Sequence, residues 1–261
     1  MEPNLLETEP VPGVAWLALN RPAQRNALDG ALVAALHEAL LRHGARPATR
    51  VVVLAATGSA FCAGADLAAM GALGRGPWQS NLEDALGLAR LLLALRHCSR
   101  PTLAVVHGAA IGGGVGLTAA CDLAIGSSAA HFRLPEVRLG LVPALISPYV
   151  LEAIGARQAR RYCLSGEAIT AERARELGLL HEVVAPAGLT EAALSLATEL
   201  AQGAPGAQAE CKQLLADVGH RGPNEALAAG TAERLARLRA GAEAQEGITA
   251  AAARRAPGWR S

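Results

Sequence analysis

The sequence predicts an α/β core that ends near residue 190, followed by a helical C-terminal region over 191–261. Three observations carry this. Short β-rich runs alternate with stretches of helical period through the first 150 or so residues. Two of those runs, RVVVLAA (50–56) and RPTLAVVHG (100–108), hold continuous apolar stretches rather than alternating ones, which marks strands buried on both faces. From about residue 150 nearly every stretch reads as helix, from LEAIGARQARRYCL to NEALAAGTAERLARLRAG.

GVAWLALN (13–20) is the first strand, stopped by the Asn-Arg-Pro turn at 20–22. DGALVAALHEALLRH (29–43) is a helix, with Leu32, Leu36, Ala39 and Leu40 at the helical period and Asp29 as its N-cap. The strand RVVVLAA leads into a loop holding Gly58 and Gly64, then an irregular stretch through Gly71, Gly74, Gly76 and Pro77. NLEDALGLARLLLALRHC (81–98) is helical, and TLAVV begins the next buried strand. After IGGGVGLTAACD (111–122) come two strand-like pieces, DLAIGSS and AHFRL. The tail ITAAAARRAPGWRS reads as a weak helix or a loose end.

Composition narrows the function classes. Apolar residues make up 51% of the 261-residue chain and aromatics 3%, so the interior is aliphatic. A formal charge of +1 with so few stacking rings argues against a nucleic-acid partner. MEPNLLETEP lacks the basic and apolar regions of a signal peptide, and no apolar run approaches the ~18–20 residues of a membrane span. Five dispersed cysteines give neither a disulfide framework nor CxxC spacing, and the seven histidines never pair as HxxxH. The expectation is a soluble, cytoplasmic, metal-free protein with no membrane partner.

Two loops stand out because each follows a buried strand and leads into a helix: TGSAFCAGADL (57–67) and HGAAIGGGVGL (107–117). Such a loop turns backbone N–H groups toward whatever sits over the helix N-terminus. The dedicated phosphate patterns fail: no GxxxxGK[ST] occurs, and the triplet is not GxGxxG followed by an acidic residue. Glycines that merely allow tight helix–strand packing are one reading of either loop. Two such loops, without a lysine or metal ligand, point instead to a paired N–H cradle for one developing oxyanion.

LNRPAQRNALD (19–29), FCAGADL (61–67), HGAAIGGGVGLTAACDLAI (107–125) and RLPEVRLGLVP (133–143) together resemble the crotonase superfamily of enoyl-CoA hydratases and isomerases. GEAITAERARELGLLHEVV (166–184) matches the segment that follows the family's core, and the resemblance runs in order from about residue 13 to 185. It implies a spiral of ββα turns with a C-terminal helical trimerisation region, assembled as a homotrimer or a dimer of trimers. It also implies an acyl-CoA substrate, with no cofactor beyond the coenzyme A of that thioester. The resemblance places the oxyanion hole on the backbone N–H groups of Ala65 and Gly113, with Gly112 and Gly114 letting the thioester lie against the backbone. Coenzyme A contacts fall on Ala23, Gln24 and Arg25, and on Ala63, Asp66 and Leu67. Asp66 also has the form of an N-cap, Arg25 could equally be a solvated surface arginine, and Ala68 stands where relatives often carry a phosphate-binding lysine.

The acid–base residues depart from the best-known hydratases, which use two glutamates. The second falls on Glu136 and the first on Gly116, whose missing carboxylate is expected to leave space in the pocket. An apolar setting such as FRLPEVRLGLVP raises a carboxyl's pKa and suits it to proton transfer. The alternative is a structural ion pair with Arg133 or Arg138. Ala144 replaces a glycine whose N–H helps hold water in relatives, with a backbone donor expected to survive. Glu136 could act alone, or with Glu83 or Asp84 from the preceding helix.

GGGVGL with PEVRLGLVPALISPYVLEAIGARQARRYCL looks most like bacterial hydratases of the methylglutaconyl-CoA and isohexenylglutaconyl-CoA kind, which implies hydration of a branched 2-enoyl-CoA. A double-bond isomerase using Glu136 as its single base, and a non-catalytic acyl-CoA-binding or assembly protein, are the alternatives.

Overall fold

The computed structural model describes residues 2–219 and 221–260. Along the chain run β1 (Leu5–Thr8), β2 (Val14–Leu19), α1 (Gly30–Ala45), β3 (Val51–Ala56), β4 (Ala60–Cys62), α2 (Leu67–Arg75) and α3 (Trp78–His97). Next come β5 (Thr102–Val106), β6 (Ala109–Ile111), α4 (Gly113–Ala120), β7 (Leu123–Ser127), β8 (His131–Arg133) and α5 (Ser147–Ser165). β9 (Ala168–Thr170), α6 (Ala171–Leu177), β10 (Glu182–Val184) and α7 (Leu189–Ala201) follow, before α8 (Pro205–Val218), α9 (Glu225–Ala240) and α10 (Ala242–Ala252).

One unit repeats: a longer strand, a three-residue strand, then helix. The longer strands join a six-stranded sheet in the order β1-β2-β3-β5-β7-β10, and the short ones a four-stranded sheet in the order β4-β6-β8-β9. Each turn of chain therefore steps one strand along both sheets, which is the α/β spiral. Pairing is parallel from β2 to β10 in the large sheet and from β4 to β8 in the small one, while β1 and β9 add antiparallel edges.

The inner strands of the large sheet are buried on both faces, as their unbroken apolar runs require. Val51, Val53 and Ala55 of β3 face a layer closed by Ala193 and Ala197 of α7. Val52 and Leu54 point the other way, into the main core with Leu32 and Leu36 of α1 and Leu91, Leu92 and Leu95 of α3. A period of two along the strand feeds two cores at once.

The structure adds strands that the sequence did not announce: β1, β4, β6, β9 and β10. Each is only three or four residues long, too short for alternation to show. The glycine-rich stretch before α3 is helical as α2, because Asp66 caps it with bonds from the N–H groups of Ala68 and Ala69 at 3.1 and 3.2 Å. The predicted helix around 151–164 is present but broken at Gly155, where φ is +73°. The tail is not loose. Arg50 Nη1 donates to the Trp259 carbonyl at 2.6 Å, and Trp259 Nε1 donates to the Gln202 carbonyl at 3.2 Å.

Candidate active site

Three neighbouring parallel strands of the small sheet deliver the predicted residues to one edge. β4 pairs with β6, and β6 with β8, so the loops after Cys62, Ile111 and Arg133 leave from the same end. Ala65 lies three residues beyond β4, Gly113 two beyond β6 and Glu136 three beyond β8. The crevice at the carboxyl ends of parallel strands is where α/β sheets bind ligands. The loops are also tied to one another. Gly112 N–H extends the sheet ladder to the Arg133 carbonyl at 2.8 Å, and Leu28 and Ala65 form an isolated parallel bridge. A β-carbon built on Gly64, at φ +90°, would stand 3.0 Å from the Ile111 carbonyl oxygen and 4.0 Å from the Gly113 nitrogen. Only glycine lets these two loops approach so closely.

The N–H groups of Ala65 and Gly113 donate to no backbone or side-chain acceptor among the described residues. Gly113 opens α4, where the first turn leaves its donors unsatisfied and positive in character. The glycines around it lie close against protein atoms. A β-carbon on Gly112 would meet Glu136 Oε1 at 2.9 Å, one on Gly113 would meet Leu28 Cδ1 at 2.8 Å, and one on Gly114 would meet the Cys62 carbonyl oxygen at 2.6 Å. Gly116 is filled as well. Its β-carbon would stand 2.2 Å from Ile146 Cγ2, so the missing carboxylate leaves no space.

Glu136 begins a short 3-10 turn, Glu136–Leu139, that follows β8 through Leu134 and Pro135. The ion pair with its flanking arginines, the alternative to a catalytic role, is absent among the described residues. Arg133 Nε donates to the Gly166 carbonyl at 2.6 Å, and Arg138 Nη2 to the Ser165 carbonyl at 2.9 Å. Both guanidinium groups thus serve the end of α5. Glu136 Oε2 is buried with no hydrogen-bond partner among the described residues. Burial pushes the Glu136 carboxyl above the ordinary glutamate value, partly offset by a hydrogen bond from its own backbone. A half-buried, unpaired carboxyl held above its usual pKa is fitted to accept and return a proton.

The loop between β2 and α1 closes the other side. Arg25 lies at φ +51°, its carbonyl accepts from the Ala63 N–H at 2.9 Å, and its exposed guanidinium makes no bond among the described residues. Ala23 and Gln24 beside it are exposed, as is Leu67. Arg21 bridges the caps of two helices, with Nη1 at 3.0 Å from Asp29 and Nη2 at 3.6 Å from Asp66. Asn26, at 0% exposure, is the tie the sequence did not reveal. Its amide donates to the carbonyls of Thr57 and Ala60 at 2.8 Å each, and its Oδ1 accepts from the Arg21 N–H at 2.7 Å. Asn26→Ala strands those buried groups, and we expect a loss of about 2–4 kcal/mol in urea unfolding. Unchanged stability would show that water replaces the bonds.

A family model for enoyl-CoA hydratase/isomerase matches residues 9–261. The chain belongs to that family. A 2,3-dehydroadipyl-CoA hydratase of Escherichia coli K12 is 36% identical over 256 residues, covering 95% of either chain. A mevalonyl-coenzyme A hydratase of Aspergillus fumigatus is 33% identical over 258 residues, 96% of this chain and 93% of that one. The crystal structure of an enoyl-CoA hydratase from Shewanella pealeana matches with a TM-score of 0.94 at 37% identity, over 98% of this chain and 96% of the other.

Several readings change within the enoyl-CoA hydratase/isomerase frame. Ala144 keeps its backbone donor but spends it on the Val142 carbonyl at 2.8 Å. Glu83 accepts from Gln79 on an exposed face of α3, and Asp84 Oδ1 stands 3.6 Å from the β-carbon position of Gly30. Neither approaches Gly112, where Glu136 is the one side chain within 4 Å of the β-carbon position. The carboxylate of Asp66 is committed to the α2 cap and to Arg21, and these contacts hold its pKa below the ordinary range, the Ala69 N–H foremost. Among the described residues no group of three or more His, Cys, Asp or Glu could hold a metal ion, and no helix is long and apolar enough to cross a membrane.

Proposed function

We propose that the chain is a hydratase that adds water across the α,β double bond of a branched 2-enoyl-CoA thioester. The observation that carries this is the carboxyl of Glu136, without an ion pair, beside two backbone donors, Ala65 and Gly113, that have no acceptor among the described residues. The Glu136 carboxylate takes a proton from water as the oxygen bonds to Cβ, and the double-bond electrons move onto the thioester oxygen. The N–H groups of Ala65 and Gly113 hold that enolate oxygen where its charge develops. Glu136, now protonated, returns the proton to Cα and the carbonyl re-forms, so one carboxyl serves as base and then acid. Arg25, with Ala23 and Gln24, meets the phosphates and adenine of coenzyme A, and Ala63, Asp66 and Leu67 line the facing loop. The branched acyl group rests on the resemblance of 112–117 and 135–164 to hydratases of such substrates. Exposed Leu215, Leu235 and Ile248 on the last three helices support self-association as a homotrimer or dimer of trimers, which light scattering checks.

A second reading is double-bond isomerisation, in which Glu136 carries one proton between Cα and Cγ. Ile146 over Gly116 and the occupied N–H of Ala144 favour it, because both remove places to hold water. Crotonyl-CoA and 3-methylglutaconyl-CoA, followed by loss of the conjugated thioester absorbance, test the hydratase. A 3-enoyl-CoA that gains that absorbance marks the isomerase, and binding of all three without turnover leaves an acyl-CoA-binding protein. The acid limb of kcat/KM is expected above 4.5, because burial raises Glu136 and its carboxylate is the active form. A limb at or below that value would remove Glu136 as the base.

A further inference from the structure

The chain from Glu136 to Ile146 has its two ends against the start of α4, one at the Gly112 cap and one at Gly116 within the helix. Glu136 Oε1 stands 2.9 Å from the β-carbon position of Gly112, and Ile146 Cγ2 stands 2.2 Å from that of Gly116. Gly112 is the non-helical cap of α4 and Gly116 lies four residues on, so the two ends of one strip account for both glycines. Gly113, a free donor, lies between them in sequence. The strip is braced from within: Leu141 N–H bonds the Glu136 carbonyl at 3.0 Å, and Ser147 N–H bonds the Pro143 carbonyl at 3.0 Å. Ser147 Oγ adds a bond to the Ala144 carbonyl at 3.0 Å. Ile146, at 3% exposure, is sealed in the core, whereas Glu136 has no ion pair and no bond to Oε2. Among the described residues the polar hold on the carboxyl is the hydrogen bond from its own backbone, so its place also depends on how the strip packs.

We propose that Ile146 is a positioning residue, whose Cγ2 methyl, seated on Gly116, sets where the Glu136 carboxyl stands relative to the Gly113 N–H. This rests on the hydratase reading. The requirement is for a methyl at one place rather than for bulk. Ile146→Val keeps Cγ2 and loses Cδ1, while Ile146→Leu keeps the volume and moves the branch away from Cβ. A displacement on the order of 1 Å in a catalytic group can cost ~10²-fold in rate. We therefore expect Ile146→Val within about threefold of the parent kcat, and Ile146→Leu lower by about 10- to 100-fold with KM changed less than about threefold.

The acid limb of the pH profile should move down in Ile146→Leu, as a displaced Glu136 meets more water. Gly116→Ala should lose kcat similarly, and adding Ile146→Ala should recover part of the loss by clearing the clash. Rates are read well below each variant's unfolding midpoint, so that folding losses do not enter. Equal kcat for Val and Leu, with the parent active, overturns this inference alone. A parent chain without turnover overturns the hydratase reading and this inference with it.

Discussion

Glu136→Gln is expected to abolish turnover and, at neutral pH, to make the protein more stable. The amide has nearly the same shape, so the seat against Gly112 is kept. It can neither take a proton from water nor return one to Cα, and positioned acid–base groups contribute ~10²–10⁴ in rate. In the proposed hydration both proton transfers pass through this one carboxyl, so the upper end of that range applies. The Ala65 and Gly113 donors remain, and a small residual rate should persist.

The gain in stability follows from burial. The folded protein raises the Glu136 pKa above the unfolded value, first through desolvation. Below the unfolded pKa both states hold a neutral carboxyl and burial carries no ionisation cost. As pH rises through the folded pKa the buried group must ionise, and that share of stability is lost. Glutamine never ionises, so the variant should unfold at a higher temperature near pH 7, with the difference closing below pH 4.5. A variant with turnover intact would remove Glu136 from the mechanism. One less stable at pH 7 would mean that Oε2 has a bound partner in solution.

The order of strands and helices was legible where apolar runs were long, as in β3 and β5, or where a cap was explicit, as at Asp29. The small sheet was not. Its strands are three residues each inside loops that read only as glycine-rich, yet their parallel pairing is what gathers Ala65, Gly113 and Glu136. The two glycine loops could be read as a pair because two strand–glycine–helix units repeat the same local grammar. What each glycine accommodates could not, because the neighbours come from distant positions: Leu28, Cys62, Glu136 and Ile146. Asn26 was silent for the same reason. One asparagine in a turn looks like turn chemistry, and only the fold shows that its amide spans 31 and 34 residues to reach Thr57 and Ala60.

Gly112→Ala should cost as much activity as losing a catalytic group, although it adds a single methyl. Two penalties meet at this residue. Its backbone sits at φ +50° and ψ −109°, a region that side chains avoid at a cost of ~1–3 kcal/mol. The new methyl would also stand 2.9 Å from Glu136 Oε1, with Cδ at 3.7 Å, so relief requires the carboxyl to move. If the backbone relaxes instead, it turns the peptide that carries the Gly113 N–H and strains the 2.8 Å bond from Gly112 to Arg133. Either route damages one half of the site. Loss of one oxyanion donor costs ~10²–10³ in rate, and displacement of the base a comparable factor, so kcat should fall by about 10³. Gly74→Ala serves as the control, because beyond its chain neighbours and its own helix backbone that exposed residue of α2 has no described atom within 4 Å of its β-carbon position. It should leave kcat unaltered and stabilise the helix by about 0.5–1 kcal/mol. A Gly112→Ala enzyme within about tenfold of the parent would show that the Glu136 carboxyl does not need its seat. The base would then be held by substrate, and the closeness of Glu136 to Gly112 would be packing without consequence for the reaction.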